Sequence, residues 1–382
     1  MSTLFFVCAF VGLYPFVIYP ALAVVLGAWL RRDVAKQTAA LPRVTVVTAA
    51  FNEAGHIEAT VRNKLALDYP PDLLDVIVIS DESTDGTDEI VNRIAAEDAR
   101  VQLLRQVPRQ GKTSALNLAM PRARGDIVVF SDANSIYERG ALRQLVANFA
   151  DPAVGYVSGQ MKYVNPDGSL VGDGCTGYMR FENRLRAAET RMGSIVGVDG
   201  GIDCVRRNLY LPMTADQLPD FVLPLNVVEQ GYRVVFEADA VLQEDALTTH
   251  GSEYRMRVRV TLRALWALLA KRALLNPLRH GLFAWQLFSH KVLRYLAFAP
   301  LTVAAVLNWF LLDQGWVFQV AAGGQVLFII MTALGAMGVR AVGGIGLPAY
   351  CYYFFLVNWA SAVAFFKFLR GEKKVLWQPR QG

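Results

Sequence analysis

Charge is missing from four long stretches of this chain, and acid is missing from a fifth. Leu4–Leu30 runs 27 residues without a charged side chain, Tyr295–Leu312 runs 18, Trp316–Val339 runs 24 and Ala341–Phe366 runs 26. Crossing the hydrocarbon core takes about 20 apolar residues, so each run qualifies or nearly does. With 19% charged residues overall and a mean hydropathy of +0.30, the 382-residue chain reads as an integral membrane protein. The first run has no basic segment before it and ends at Arg31-Arg32 rather than at a small-residue cleavage site. It reads as an anchor, not a signal peptide. A transporter places ionisable groups inside its spans; the absence of charge from these four speaks against one.

Cysteine and histidine are scarce, with four of each. Cys8, Cys175, Cys204 and Cys351 show no C-x-x-C spacing, which excludes a disulfide scaffold and leaves reduced thiols as the expectation. The histidines show no zinc pattern. No G-x-G-x-x-G follows the first strand, so a nicotinamide-binding domain is not expected. "QGKTS" suggests a phosphate loop, but the glycine such a loop needs five residues before Gly111 is Gln106. No repeat or low-complexity tract occurs, and no nucleic acid is expected as a partner.

Basic flanks mark the cytoplasmic side of a span. Arg31, Arg32 and Lys36 follow the first run, and Lys291 and Arg294 precede the second. The roughly 260 mixed residues between them therefore read as a cytoplasmic domain. Lys367, Arg370, Lys373 and Lys374 place the C-terminal tail on the same side. Three full crossings after a cytoplasmic domain would instead leave that tail outside. Either one apolar segment is re-entrant or interfacial, or the charge rule fails here.

Within the domain, "VTVVTA" (Val44–Ala49), "LLDVIVIS" (Leu73–Ser80), Val101–Leu104 and "DIVVFS" (Asp126–Ser131) read as short buried strands. Helical patterns at 53–67, from Asp88 onward and at 112–120 separate them. Four such alternations imply an α/β domain with a mostly parallel sheet. Ligands of such sheets bind at the carboxyl ends of the strands. Phe51-Asn52-Glu53, Asp81, and Asp132 with Asn134 all fall there. Beyond Asp151 the pattern is less regular, with helices over 178–194 and before Gly231 and a strand over 233–237. No acid occurs from Tyr254 to Leu312, while nine lysines and arginines do, which suggests helices lying at the membrane surface. The tighter Arg255–Arg263 group also suits polyanionic phosphate.

Six segments occur in a familiar order: "AAFNE" (49–53), "SDESTDGT" (80–87), "QGKTSALN" (110–117), "FSDANS" (130–135), "PDFVLP" (219–224) and "GYRVVFEADA" (231–240). In this the chain resembles the membrane-bound family 2 glycosyltransferases, the branch that includes cellulose, chitin, hyaluronan and poly-N-acetylglucosamine synthases. The likeness covers about 42–294. It implies a GT-A fold followed by transmembrane helices, and inverting transfer from a nucleotide-diphospho-sugar, expected to be a UDP-sugar. The acceptor would be a glycan or lipid-linked hydroxyl at the cytoplasmic face of a bacterial inner membrane. Ala50, Asn52 and Glu53 would line the nucleotide pocket, Asp81 would accept from the base, and Lys112 would lie beside the nucleotide. Asp132 and Asn134 would hold Mg²⁺ or Mn²⁺, Asp220 would be the general base, and Arg257 and Arg259 would meet the pyrophosphate. Gln160 and Trp266 would face the acceptor. The implied layout is an anchor over 1–32, a catalytic domain over 40–253 and interfacial helices over 254–294. About three transmembrane segments over 295–369 and a basic tail over 370–382 complete it.

Two departures qualify the likeness. The synthases carry an acid where Asn134 stands. Their Gln-x-x-Arg-Trp motif falls here at 256–260 without its tryptophan, which puts polymer synthesis in question and raises single-sugar transfer to a lipid as the alternative. Blander readings also attach to particular residues. The Asp81 turn can be an ordinary helix cap, Trp266 a core residue, and Arg206-Arg207 a solvated turn. Glu182 and Glu189 read as a solvated helix face, with acceptor contact as the alternative.

Overall fold

The computed structural model describes residues 1–38, 40–164, 173–245, 250–339, 342 and 346–373, with side chains for all but 163, 164, 173–176, 245 and 250–252. The Cys175 thiol, Lys374 and the rest of the expected basic tail lie outside these. The chain divides into two compact units. One comprises 1–26, 171–185 and 248–372; the other comprises 27–170, 186–247 and 373–382.

The second unit is built on one eight-stranded sheet: β1 (Val44–Ala50), β2 (Leu74–Ser80), β3 (Val101–Arg105), β4 (Ile127–Asp132), β5 (Ile136–Tyr137), β6 (Val154–Val164), β7 (Asp203–Arg206) and β8 (Arg233–Asp245). Their order across the sheet is β3-β2-β1-β4-β7-β6-β8-β5. The β1–β2, β1–β4, β2–β3 and β6–β8 pairings are parallel, and the β4–β7, β6–β7 and β5–β8 pairings are antiparallel. The sheet is thus mixed and mostly parallel, as expected.

The buried strands explain the short apolar runs. Val44, Val46, Val47 and Ala50 of β1 are fully buried, as are Val76, Val78 and Ile79 of β2. Burying one such valine or isoleucine is worth roughly 1.5–3 kcal/mol. Register then fixes the site. Ala50 lies opposite Ser80 and Ala49 opposite Asp132, so β1, β2 and β4 end level with one another. β7 runs the other way and sets Asp203 opposite Phe130 at that same edge. Gly125 is needed where β4 begins, because a Cβ there would collide with the Thr45 backbone nitrogen.

The first unit contains two unbroken helices long and apolar enough to cross a membrane, Trp316–Ala336 and Leu347–Leu369. The other two expected spans are bent. Ser2–Leu13 and Ile18–Leu30 meet at 52°, and Pro277–Leu296 and Phe298–Trp309 meet at 54°. Each pair is a broken span or a re-entrant loop. Proline is the physical reason. Pro15 lies in the first break, where it lacks the N–H and clashes with the preceding turn. Pro300 stands in the first turn after the second break. It has no N–H to give the Leu296 carbonyl, so the ladder cannot run unbroken through Ala297, whereas a first-turn position tolerates the ring.

Candidate active site

The site is assembled from the carboxyl edge outward. Asn52 follows β1 with a left-handed φ of +53°. Its backbone N–H donates to Ser83 Oγ at 3.0 Å, and its side-chain oxygen accepts from the Thr84 N–H at 2.9 Å. Glu53 N–H donates to Thr87 Oγ1 and Ala54 N–H to Asp85 Oδ2, both at 2.9 Å. The two loops after β1 and β2 are therefore stitched together, and "STDGT" is more than a helix cap. Burial works against the Asp85 charge, but bonds from Thr87 and Ala54 hold its carboxyl below the usual range.

Asp81 is almost fully buried and turned toward its own chain. Its Oδ1 accepts from Gln106 Nε2 at 2.5 Å and from the Gln110 N–H at 2.9 Å. Its Oδ2 accepts from the Gly111 N–H at 2.9 Å, with Arg109 Nε at 3.5 Å. A carboxylate has about four acceptor positions, and these hydrogen bonds occupy three of them. Buried and held by these three bonds, Asp81 keeps at most one acceptor position for a base. The Arg109 guanidinium lies 3.4 Å from the centre of the Phe51 ring.

What Asp81 holds is the turn that aims Lys112. Gly111 has φ +89°, a conformation that favours glycine, and the Lys112–Ala119 helix begins at the next residue. Lys112 Nζ then donates to Asp132 Oδ1 at 2.7 Å and to Asp220 Oδ1 at 3.4 Å. Asp132 ends β4, and Asp220 sits in the first turn of the Pro219–Glu229 helix, an acid position suited to the helix dipole. Burial disfavours the Lys112 charge, yet Asp132 and then Asp220 outweigh it and raise the pKa above the ordinary lysine value. Three residues expected from sequence are thus brought together, with their side chains 20–30% exposed.

Beneath them lies the turn of "GVDGGIDCVRRNLY", which reads from sequence as a Gly-rich turn entering a strand but not as part of the site. A Cβ on Gly200 would lie 2.6 Å from Asp220 Oδ2, and one on Gly201 would lie 3.1 Å from Asp132 Oδ2 and 3.0 Å from Ser135 Oγ. Both carboxylates therefore rest on bare backbone. The Tyr137 hydroxyl donates to the Gly201 carbonyl at 2.6 Å and fixes that backbone. Asp203 is fully buried and accepts from the Tyr156 hydroxyl. Burial, then the Asp220 charge, push its carboxyl well above the usual range. The signal was present in "GVDGGIDC": an acid entering an apolar strand beside paired glycines.

Asn134 Nδ2 donates to Glu244 Oε1 at 3.0 Å, an acid on β8 with 2% exposure. That bond leaves Oδ1 as the amide atom suited to a cation. The oxygen set at this loop includes the Asp132 carboxylate, the Asn134 amide and the buried Ser135 hydroxyl, which has no hydrogen-bond partner among the described residues. Hard oxygen donors of this kind suit Mg²⁺ or Mn²⁺. Among the described residues no three His, Cys, Asp or Glu side chains gather around one point. A divalent ion here would thus take part of its shell from a bound phosphate, as Mg²⁺ commonly does.

The remaining expected residues are placed as follows. Ala50 is buried at the end of β1, and Gln160 stands on β6 opposite Val241. In the other unit, Arg257 Nε donates to Glu253 Oε1 at 2.7 Å and its terminal nitrogen donates to the Tyr353 hydroxyl. Two of its three guanidinium nitrogens are engaged there. Arg259 is half-buried on the same helix, His250–Ala270. Trp266 Nε1 donates to the Glu372 carbonyl at 2.8 Å, and its ring packs edge-on to Phe368 at 4.6 Å. It is a packing residue, not an acceptor platform.

Other bland readings fail too. Glu182 is buried against Arg294 and His290, and Glu189 is fully buried, so neither is a solvated face. Arg206 is not a solvated turn residue; it donates to the carbonyls of Phe149, Asp151 and Val154. The three described cysteines are free thiols.

Residues 45–199 match the family model described as Glycosyl transferase family 2. Among curated proteins, the chain is similar to a probable glycosyltransferase, YdaM, of Bacillus subtilis (strain 168). They are 27% identical over 232 residues, covering 57% of this chain and 54% of that one. It is similar also to the poly-beta-1,6-N-acetyl-D-glucosamine synthase of Staphylococcus aureus (strain MSSA476), at 27% over 224 residues with the same coverage. The chain spans about half the length of these curated relatives. Among solved structures it resembles the mannosyltransferase PcManGT from Pyrobaculum calidifontis in complex with GDP-Man and Mn²⁺. The TM-score is 0.72 at 25% identity, covering 97% of this chain and 99% of that one. The α/β unit thus has the GT-A fold, with residues 45–199 matching the family 2 glycosyl transferase domain.

Proposed function

We propose that the chain transfers a sugar, with inversion, from a nucleoside-diphosphate sugar to a hydroxyl of a glycan or lipid-linked acceptor. The observation that carries this reading is the lysine bridge. Lys112 joins Asp132, at the end of a parallel strand, to Asp220, at the start of a helix. A family 2 domain, a polymer synthase among the relatives and a mannosyltransferase among the neighbours support it.

In this reading Asp220 takes the proton from the acceptor hydroxyl as its oxygen bonds to the anomeric carbon. The bond from that carbon to the phosphate oxygen breaks, and the nucleoside diphosphate leaves with the electron pair. General-base help is typically worth about 10²–10⁴-fold. Lys112 keeps positive charge beside both carboxylates and holds Asp132 in place. Asn52, Glu53 and Asp81 frame the nucleotide, and Arg259 meets the pyrophosphate. Asp132, with the Asn134 amide, would hold Mg²⁺ or Mn²⁺, which supplies charge neutralisation on the departing diphosphate.

The reading includes the layout 1–32 anchor, 40–253 catalytic domain, 254–294 interfacial helices and 295–369 membrane segments, with the domain at the cytoplasmic face of a bacterial inner membrane. With Trp266 packed away, single-sugar transfer to a lipid stands beside polymer synthesis. The test is a panel of UDP- and GDP-sugars offered to the purified chain in detergent, with nucleoside diphosphate release measured. Chain-length analysis of labelled product separates the two outcomes. Release from none of the donors, with membrane-lipid extracts supplied as acceptors, overturns the proposal.

A further inference from the structure

Lys64 is fully buried on the Ile57–Leu65 helix, and no ion pair among the described residues includes it. Its amino group donates to the Ser135 carbonyl at 2.6 Å and to Asn63 Oδ1 at 3.1 Å, and lies 3.8 Å from the centre of the Tyr137 ring. Burial pushes its pKa well below the ordinary lysine value, and burying so polar a group is costly. Packing alone would be better served by an apolar side chain of similar length. The position therefore calls for another reason.

The reason lies in what surrounds it. Thr60, one turn earlier, donates its hydroxyl to the Ala133 carbonyl at 2.7 Å. Asn63 donates to the Tyr137 carbonyl at 3.0 Å and accepts from the Tyr137 N–H at 2.8 Å. One face of one helix thus pins the backbone at 133, 135 and 137, the alternate residues of the loop that begins at Asp132. Spacing of 60, 63 and 64 is the one-face spacing of a helix. The opposite side of the same loop is tied through Asn134 to Glu244.

We propose that Lys64, with Thr60 and Asn63, is a positioning residue for donor binding: it fixes the 132–137 loop so that Asp132 and Asn134 meet a divalent ion on the nucleotide diphosphate. This rests on the donor and metal reading above. A loop that offers an amide, Asn134, beside its one carboxylate, Asp132, has less charge to attract an ion than a pair of acids, so the placement of its oxygens matters more. Groups that orient metal ligands from behind typically change metal affinity by about 10–100-fold when removed.

The experiment titrates Mn²⁺ into the full chain in detergent, in the presence of UDP or of GDP, and follows free Mn²⁺ by electron paramagnetic resonance. Thermal melts are recorded alongside. Lys64→Met keeps the apolar stem and removes the amino group. Mn²⁺ affinity with nucleotide is expected to fall about tenfold or more, while the melting temperature and the metal-free nucleotide affinity stay near wild type. Thr60→Val is the second, near-isosteric variant, with a several-fold loss expected. Wild-type Mn²⁺ affinity in either folded variant overturns the inference, as does a parallel loss of stability and of metal-free nucleotide binding. If the wild-type chain itself binds nucleotide no better with Mn²⁺, the metal reading falls and takes this one with it.

Discussion

Gly200→Ala isolates the placement of Asp220 from its chemistry. The added methyl would sit 2.6 Å from Asp220 Oδ2 and 2.8 Å from its Cγ, where ordinary contact begins at 3.4 Å. The carboxylate must therefore shift by about 0.8 Å, or the turn must. The neighbours resist the second course, because Tyr137 holds the next carbonyl and Asp199 is held by Ser158 and Arg186. A misplacement of about 1 Å at a reacting group can cost on the order of 10²-fold in rate. The expected result is a fall in turnover of that size, read as nucleoside diphosphate release under saturating donor. Donor affinity should change by less than about threefold, since Asp132 contacts Gly201 rather than Gly200. Wild-type turnover in a folded Gly200→Ala chain would refute the placement of Asp220 at the reacting hydroxyl. Equal loss of donor affinity and turnover would refute the separation of the two carboxylates' roles.

Asp220→Asn should abolish transfer, by about 10²–10⁴-fold, with nucleotide binding retained; turnover within tenfold of wild type removes the base from that residue. Excess chelator should stop transfer and Mn²⁺ restore it, and full activity in chelator rules out metal at Asp132. Asn134→Asp adds a charge to the same loop and should tighten Mn²⁺ binding, which the resonance titration reads directly; unchanged affinity means that the amide is not a ligand. Asp203→Asn concerns stability. Its carboxyl titrates above the usual range when folded, so the folded chain holds a proton that the unfolded chain has lost, and stability falls as pH rises through that window. Asparagine removes this slope, so melting temperatures from pH 5 to pH 8 should favour the variant increasingly; parallel curves would show that Asp203 is not buried as an acid.

The first half of the domain was legible because its strands are short, apolar and regularly interrupted. Expected and observed strands at 44–50, 74–80, 101–105 and 127–132 agree to within a residue or so at each end. β6 and most of β8 were harder. Val154–Val164 contains Gly155 and Gly159, where neighbouring groups leave no room for a Cβ, along with Ser158 and Gln160; tertiary packing, not local propensity, makes it a strand. The site was legible where single acids end strands, as at Asp132. It was not legible where function rests on backbone, as at Gly200 and Gly201, or on a lysine whose neighbours arrive from about 70 residues away. The surroundings of Arg257 and Trp266 were not legible for one reason: helical spacing shows which residues share a face, but not what covers that face.

The bends in the apolar helices bear on which side of a bilayer each end of the chain occupies. Trp316–Ala336 and Leu347–Leu369 are the unbroken pair. If the 54° bend makes Pro277–Trp309 a loop that dips in and returns, the count of full crossings after Arg272 is two. An even count brings Lys367 and Arg370 back to the side of Lys271 and Arg272, which precede the loop, as the charge rule asks. A single helix break, seeded beside Pro300, then reconciles two sets of basic residues that three straight spans would have set on opposite faces.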